Sequence, residues 1–258
     1  MDMTEDMAIA FPEGYGPLVA LSKAEINALP LYAYEGPITL VSTPQEEEEA
    51  LHKLGDIAVI GFDTETKPSF KKGTFYNPSL IQVATHEEVF LFHLKALPLS
   101  QELIRIFEAP HVLKTGVAIS DDMRTLGKLS PFSPKGLIDL GIAAKHHNIA
   151  HQGLRSLAAL LLGVRISKNE QCSNWGRQSL TDKQIRYAAT DAWISLALYL
   201  RMSELNLSIH DAPIQKSKPS KRTATKKTSR SNKKDAPHKE SPRQRATFTS
   251  MSKSDSTL

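Results

Sequence analysis

The stretch GFDTETKPSF (residues 61–70) decides the reading of this chain. It closes an apolar run, IAVI at 57–60, and places Asp63 and Glu65 two residues apart. A strand alternates its side chains with period two, so Asp63 and Glu65 share one face while Phe62 and Thr64 share the other. Two like charges held side by side cost free energy unless a cation sits between them, and a hard divalent metal with oxygen ligands is the usual solution. Taken alone, the pair has a second reading, the solvated end of an ordinary strand.

The chain has 258 residues, of which 40% are hydrophobic, enough for a sizeable buried core. A single cysteine, Cys172, excludes an internal disulfide framework and fits a reducing compartment. The opening segment MDMTEDMAIAFPEG lacks a basic stretch followed by a long apolar one, so no secretory signal is expected. No apolar run approaches the roughly 18–20 residues that cross a bilayer, so no membrane association is expected. These features point to a cytoplasmic enzyme or binding protein. The net charge of +4 hides a division: residues 215–258 hold 13 Lys/Arg against 3 Asp/Glu, leaving 19 against 25 in residues 1–214. That basic segment is rich in Lys, Ser, Thr and Pro with almost no large apolar side chain, the composition of a disordered tail. It is read either as an arm that gains affinity for nucleic acid through phosphate contacts or as an incidental, solubilising extension.

Two early helix starts are legible, SKAE at 22–25 and TPQE at 43–46, both with capping-box spacing. ITLV between them predicts a strand. Three apolar, β-branched runs follow at 57–66, 79–85 and 88–94, the last two close enough for a hairpin, which predicts an antiparallel meander. Helical and strand-like segments then alternate, and from about Asp121 most of the remainder reads as helix. The pattern implies an α/β fold with a mixed sheet and helices packed on it.

Further carboxylates appear downstream. In LKTGVAISDDMRTLGKL, helical spacing puts Asp122 on one stripe with Leu126 and Leu129, which predicts that it points inward, while Asp121 is read as a cap. A pair of ordinary helix-start acids is the alternative. In LTDKQIRYAATDAWISLALYLRM (180–202), Thr181 and Gln184 form a capping box, and Tyr187 and Asp191 lie four apart on one face. The small residues Ala188, Ala189 and Ala192 around them leave a surface that another element can approach closely. Tyr187 and Asp191 by themselves are also the spacing of a structural hydrogen-bonded pair.

Taken in order, FDTET, GVAISDD and YAATDA resemble the three motifs of the DEDD superfamily of 3′–5′ exonucleases, in particular Werner-type exonuclease domains and ribonuclease D. SLIQVA, FLFHL, LRSLAALLLG and CSNWGRQSLTDKQIRYAATDA extend the similarity across residues 38–204, flanked by an N-terminal extension (1–37) and the basic tail (205–258). The resemblance implies a ribonuclease H-like mixed central sheet flanked by helices. It implies that Asp63, Glu65, Asp122 and Asp191 hold two divalent metal ions, Mg²⁺ or Mn²⁺, with Asp63 bridging, Glu65 and Asp191 on the ion nearest the attacking water, and Asp122 acting largely through water. It assigns Tyr187 the orientation of that water, and Arg186, where the other subclass has histidine, places the chain in the tyrosine subclass.

The implied partner is the 3′ end of DNA or RNA; protein partners are unknown. Lys67, Phe70, Lys71 and Lys72 offer cations and a ring suited to phosphates and bases, although an ordinary exposed basic loop reads the same way. Trp175 is read either as a cover for the terminal nucleotide or as a loop anchor. A non-catalytic nucleic-acid-binding module on the same fold is the competing function, and the presence of every acid argues against it.

Overall fold

The computed structural model describes residues 20–71, 73–207 and 209; Lys72 and the basic tail from 210 onward lie outside the described residues, as does 1–19 of the N-terminal extension. Ser22 caps α1 (Lys23–Ala28) through the expected capping box, and a short strand β1 (Leu31–Tyr32) follows. After β2 (Ile38–Val41), Thr43 caps α2 (Pro44–Leu54): its side chain accepts from Glu46 N–H, and Glu46 accepts from Thr43 N–H at 2.9 Å. The three apolar runs become β3 (Val59–Thr66), β4 (Pro78–Ala84) and β5 (Val89–His93), paired antiparallel in succession as the meander requires. The remaining elements are α3 (Gln101–Glu108), β6 (Leu113–Gly116), α4 (Ile119–Leu126), β7 (Leu137–Asp139), α5 (Leu140–His146), α6 (Leu154–Leu162), β8 (Arg165–Ile166) and α7 (Asp182–Glu204).

Six strands form one mixed sheet in the order β2-β5-β4-β3-β6-β7, in which β2, β6 and β7 join in parallel and the central meander is antiparallel. β1 and β8 make a separate two-stranded parallel pair. Strand alternation sorts the core into two layers. Ile60, Phe62, Ile81, Val83, Phe90 and Phe92 pack with residues of α2, α3 and α4, where Phe62 meets Phe107 edge-on at 5.5 Å. Leu80, Ala84, Val89 and Leu91 pack with residues of α5, α6 and α7 on the other face. Among the described residues, no helix is long and apolar enough to cross a membrane.

Helix α7 is the keystone of the second layer. Its start is fixed by the Thr181–Gln184 capping box, and every residue from Ala188 to Leu198 is buried. It lies so close to β3 that a Cβ on Gly61 would stand 2.1 Å from the Ala192 carbonyl oxygen. Gly116 plays the same part on the other side of β3, where a Cβ would meet Phe62 O at 2.6 Å. The segment read as an N-terminal extension also packs on α7: Tyr34 N–H donates to Thr190 Oγ1 at 3.0 Å, and the Arg186 guanidinium donates to Tyr34 O at 3.0 Å.

A buried lysine completes the first layer. Lys114 of β6 is fully buried, and its ammonium donates to the carbonyls of Ile106, Ala109 and Val112 at 3.2, 2.8 and 2.7 Å. Three acceptors consume all three N–H groups, tying the end of α3 and the turn after it to the sheet.

Gly61→Ala should therefore displace α7 and not merely crowd a side chain. We expect a loss of about 3 kcal/mol or more of stability in urea unfolding, because the obstructing atoms are backbone and cannot rotate away.

Candidate active site

β3 keeps β4 beside it to its end, but its pairing with β6 stops at Gly61, so the segment Phe62–Thr66 has one free edge. The candidate site is built on that edge. Asp63 and Glu65 face α7, opposite Gln82 and Leu80 of β4, and a register shift between Glu65 and Thr66 ends the regular ladder immediately beyond them. α7 brings Asp191, 6% exposed, and Tyr187, one turn earlier, onto the same side. The close approach at Gly61 is what lets a helix side chain reach the carboxylates of the strand.

Asp122 arrives from the opposite side. The chain leaves β6 through Gly116 and turns into α4 at Ala118, which adopts a left-handed conformation with φ of 58°. A non-glycine residue there stores about 1 kcal/mol of strain. The turn starts α4 at Ile119 and puts Asp122 against the free edge of β3, where Thr64 Oγ1 donates to Asp122 Oδ1 at 2.6 Å. Asp121 does not cap this helix; it is exposed and accepts from Arg124 Nη2 at 2.8 Å. The cap fails because the helix begins two residues earlier, at a position without a capping side chain. Leu126 is buried as the stripe predicts, whereas Leu129 lies beyond the end of α4 and is exposed.

The four carboxylates are electrostatically expensive. Burial and then the neighbouring Asp191 and Asp122 push Asp63 well above the ordinary carboxylate range. Burial, followed by the charges of Asp63 and Asp191, pushes Glu65 up to about 10. Asp191 rises to about 7 through burial, with the Tyr187 hydroxyl bond working in the opposite direction. Asp122 rises to about 6, again through burial, while the Thr64 hydroxyl holds it down. Among the described residues no ion pair joins any of the four to a Lys or Arg. Burial also raises Tyr187, helped by the charges of Asp191 and Glu65, so its hydroxyl stays protonated and donates to Asp191.

Oxygen donors that repel one another and lack a protein cation suit hard divalent ions such as Mg²⁺ or Mn²⁺. Among the described residues, no three Asp, Glu, His or Cys side chains are drawn into a ready metal cage. Asp122 is hydrogen-bonded to Thr64 and is absent from the lining of the cleft that Asp63, Glu65 and Asp191 share.

The cleft beside the acids has a volume of about 360 Å³ and is lined by Asp63, Glu65, Tyr187 and Asp191 on one wall, with Arg155 and Lys168 also on its lining. Sequence reasoning missed these two cations because α6 and the loop after β8 lie far from the acids along the chain. It also missed Thr64, whose only signal is its place between Asp63 and Glu65. Trp175, considered as a cover for the terminal nucleotide, is fully buried, with its ring 6.0 Å from that of Tyr187. Its burial and its place beside the Tyr187 ring fit the loop-anchor reading. Phe70 and Lys71 stand exposed on the loop after β3, and Lys67 lies over the Tyr76 ring at 5.1 Å.

The mixed sheet, its flanking helices and the acids at the end of its central strand define a ribonuclease H-like fold. Residues 38–205 match the family described as 3′-5′ exonuclease, and the chain belongs to that family. It is 30% identical over 190 residues to the exonuclease mut-7 homolog of Aedes aegypti, covering 64% of this chain and 26% of that protein. It is also 30% identical over 164 residues to the mouse bifunctional 3′-5′ exonuclease/ATP-dependent helicase WRN, covering 61% of this chain and 12% of that protein. The chain thus spans about a quarter of the first relative and about an eighth of the second. The crystal structure of the Aedes aegypti Nibbler EXO domain superposes with a TM-score of 0.61 at 26% identity, covering 68% of this chain and 94% of that one.

Replacing one carboxyl of this cluster should stabilise the protein in the absence of divalent ions, because folding there must either bury a charge beside its neighbours or take up a proton. For Asp63→Asn, which retains the acceptor for Thr64 N–H, we expect a gain of about 0.5–2 kcal/mol in EDTA at neutral pH. Urea unfolding of both proteins checks this, and a destabilised variant would show that the repulsion is already relieved within the chain.

Proposed function

We propose that this chain is a metal-dependent 3′–5′ exonuclease that removes nucleotides from the 3′ end of DNA or RNA, with two divalent ions, Mg²⁺ or Mn²⁺, completing its site. The observation that carries the reading is the convergence of four carboxylates from β3, α4 and α7, where burial and the neighbouring charges raise Asp63 and Glu65 and, among the described residues, none of the four forms an ion pair with a Lys or Arg. Membership of the 3′-5′ exonuclease family supports it.

In the reaction, a water oxygen attacks the terminal phosphorus and the bond from phosphorus to the preceding 3′ oxygen breaks, freeing a nucleoside 5′-monophosphate and a shortened strand. Bound divalent ions would neutralise the charge growing on the phosphate and lower the pKa of the attacking water. Asp63, Glu65 and Asp191 would hold those ions, and Asp122, tethered by Thr64, would contribute from the far side of β3. Burial keeps the Tyr187 hydroxyl protonated, so it is not available to take a proton and serves to orient the attacking water. Buried Trp175 behind it limits how far that ring can swing. Arg155 and Lys168 carry positive charge on the same cleft and supply phosphate contacts. The solitary, exposed Cys172 fits action in a reducing compartment, the cytoplasm in this reading.

The test follows 5′-labelled single-stranded DNA and RNA, alone and annealed to a complement. Wild-type protein with Mg²⁺ or Mn²⁺ should yield a ladder of shortened products that EDTA abolishes. Asp63→Ala should lower the rate by at least about 10³-fold, and Tyr187→Phe by about 10²-fold with binding intact, in the range seen when a group stabilising a transition state is removed. Binding without degradation of any substrate would return the chain to the non-catalytic alternative.

A further inference from the structure

A cleft of about 360 Å³ accommodates the end of a strand and little more, so the rest of a nucleic-acid substrate must run across the surface. Two further concavities lie close by, and their charges differ. One, of about 260 Å³, lies along α7 beside β1 and β8; its charged side chains away from the acid cluster are Glu170, Asp182, Lys183 and Arg186. Acids and bases balance there, and Arg186 already donates to Tyr34 O at 3.0 Å. The other, of about 560 Å³, begins at Lys67, two residues beyond Glu65, and runs between the loop after β3, the segment after β5 and the end of α4. It contains Lys67 and Lys95 and no acid.

Its aromatic content is equally distinctive. The exposed large apolar side chains among the described residues are Leu31, Phe70, Phe75, Tyr76, Leu129 and Leu205. Phe75, Tyr76 and Leu129 line this groove, and Phe70 stands on the same loop. Phe75 is 90% exposed and Tyr76 41%, so both rings offer faces to solvent. Lys67 is held in place: its ammonium lies 5.1 Å over the Tyr76 ring, and its stem crosses Gly176, where a Cβ would stand 3.2 Å from Lys67 Cδ. Exposed rings interleaved with unpaired cations are the requirements of a single-stranded nucleic acid, whose bases stack and whose phosphates need neutralising.

We propose that this groove binds the single-stranded part of the substrate that trails from the 3′ end, with bases stacked on Phe75 and Tyr76 and phosphates held by Lys67 and Lys95. The inference rests on the exonuclease reading for the position of the 3′ end, but not for the chemistry of the groove.

The experiment uses the full chain and the double variant Phe75→Ala/Lys95→Ala. Both side chains are exposed, and matching thermal melts establish that the fold is kept. Fluorescence anisotropy in EDTA and moderate salt reports affinity for labelled oligothymidylate and oligouridylate of about 16 nucleotides, near the upper site size of single-strand binders, and a dinucleotide serves as the short probe. We expect the variant to lose about tenfold or more in affinity for the long strands, while the dinucleotide distinguishes wild type from variant little. Equal affinity of the two proteins for the long strands would overturn the proposal, as would an equal loss for the dinucleotide. Hydrolysis with Mn²⁺ separates this outcome from the parent reading. Degradation by wild type with unmoved affinity in the variant would remove the groove alone. Reduced affinity in the variant, with no degradation by either protein, would remove the exonuclease reading alone.

Discussion

The approach of α7 to β3 at Gly61 is the contact on which the rest of the structure depends. A helix normally packs on a sheet through side chains on both surfaces; here Gly61 supplies none and the Ala192 backbone closes the gap. That proximity lets Asp191 and Tyr187 reach Asp63 and Glu65. Gly116 repeats the economy on the opposite side, allowing the chain to pass Phe62 before turning into α4. Two residues without side chains therefore set the spacing of a site whose chemistry belongs to others.

That spacing is bought with electrostatic repulsion. Each of the four carboxylates would titrate near its ordinary value if it faced water, and burial at the end of β3 raises all of them. The surrounding framework has to hold them against this repulsion: the six-stranded sheet anchors Asp63 and Glu65, the all-round burial of central α7 fixes Asp191, and the Thr64 hydroxyl restrains Asp122. The left-handed Ala118 fits the same pattern, because its strain persists only where neighbouring packing dictates the path of the chain.

The legible parts of the sequence were those governed by local rules. Capping boxes at Ser22, Thr43 and Thr181 sit where their spacing placed them, and the apolar runs formed the expected meander. Period two put Asp63 and Glu65 on one face, and the i,i+4 relation put Tyr187 beside Asp191. Helical spacing failed at Asp121 and Leu129 because α4 is short: it starts before the pair of aspartates and ends before the leucine. The pairing of β1 with β8 and the placing of Arg155 and Lys168 on the cleft depend on contacts between distant segments, which no local pattern records.

The distribution of charge bears on how such a site meets a polyanion. Residues 1–214 carry more acids than bases, and the carboxylate cluster offers no positive charge where a phosphate must enter. Long-range attraction therefore cannot come from the body of the protein as a whole. Attraction has to be local: divalent cations, if held by the carboxylates, would reverse the field at the cleft, and Lys67 and Lys95 place positive charge on the groove beside it. Contacts of this kind act within about a Debye length, so they hold a strand that has arrived and do little to recruit one. The surplus positive charge lies instead in residues 215–258, with 13 Lys/Arg against 3 Asp/Glu, a composition that would attract a polyanion over longer distances than these local contacts.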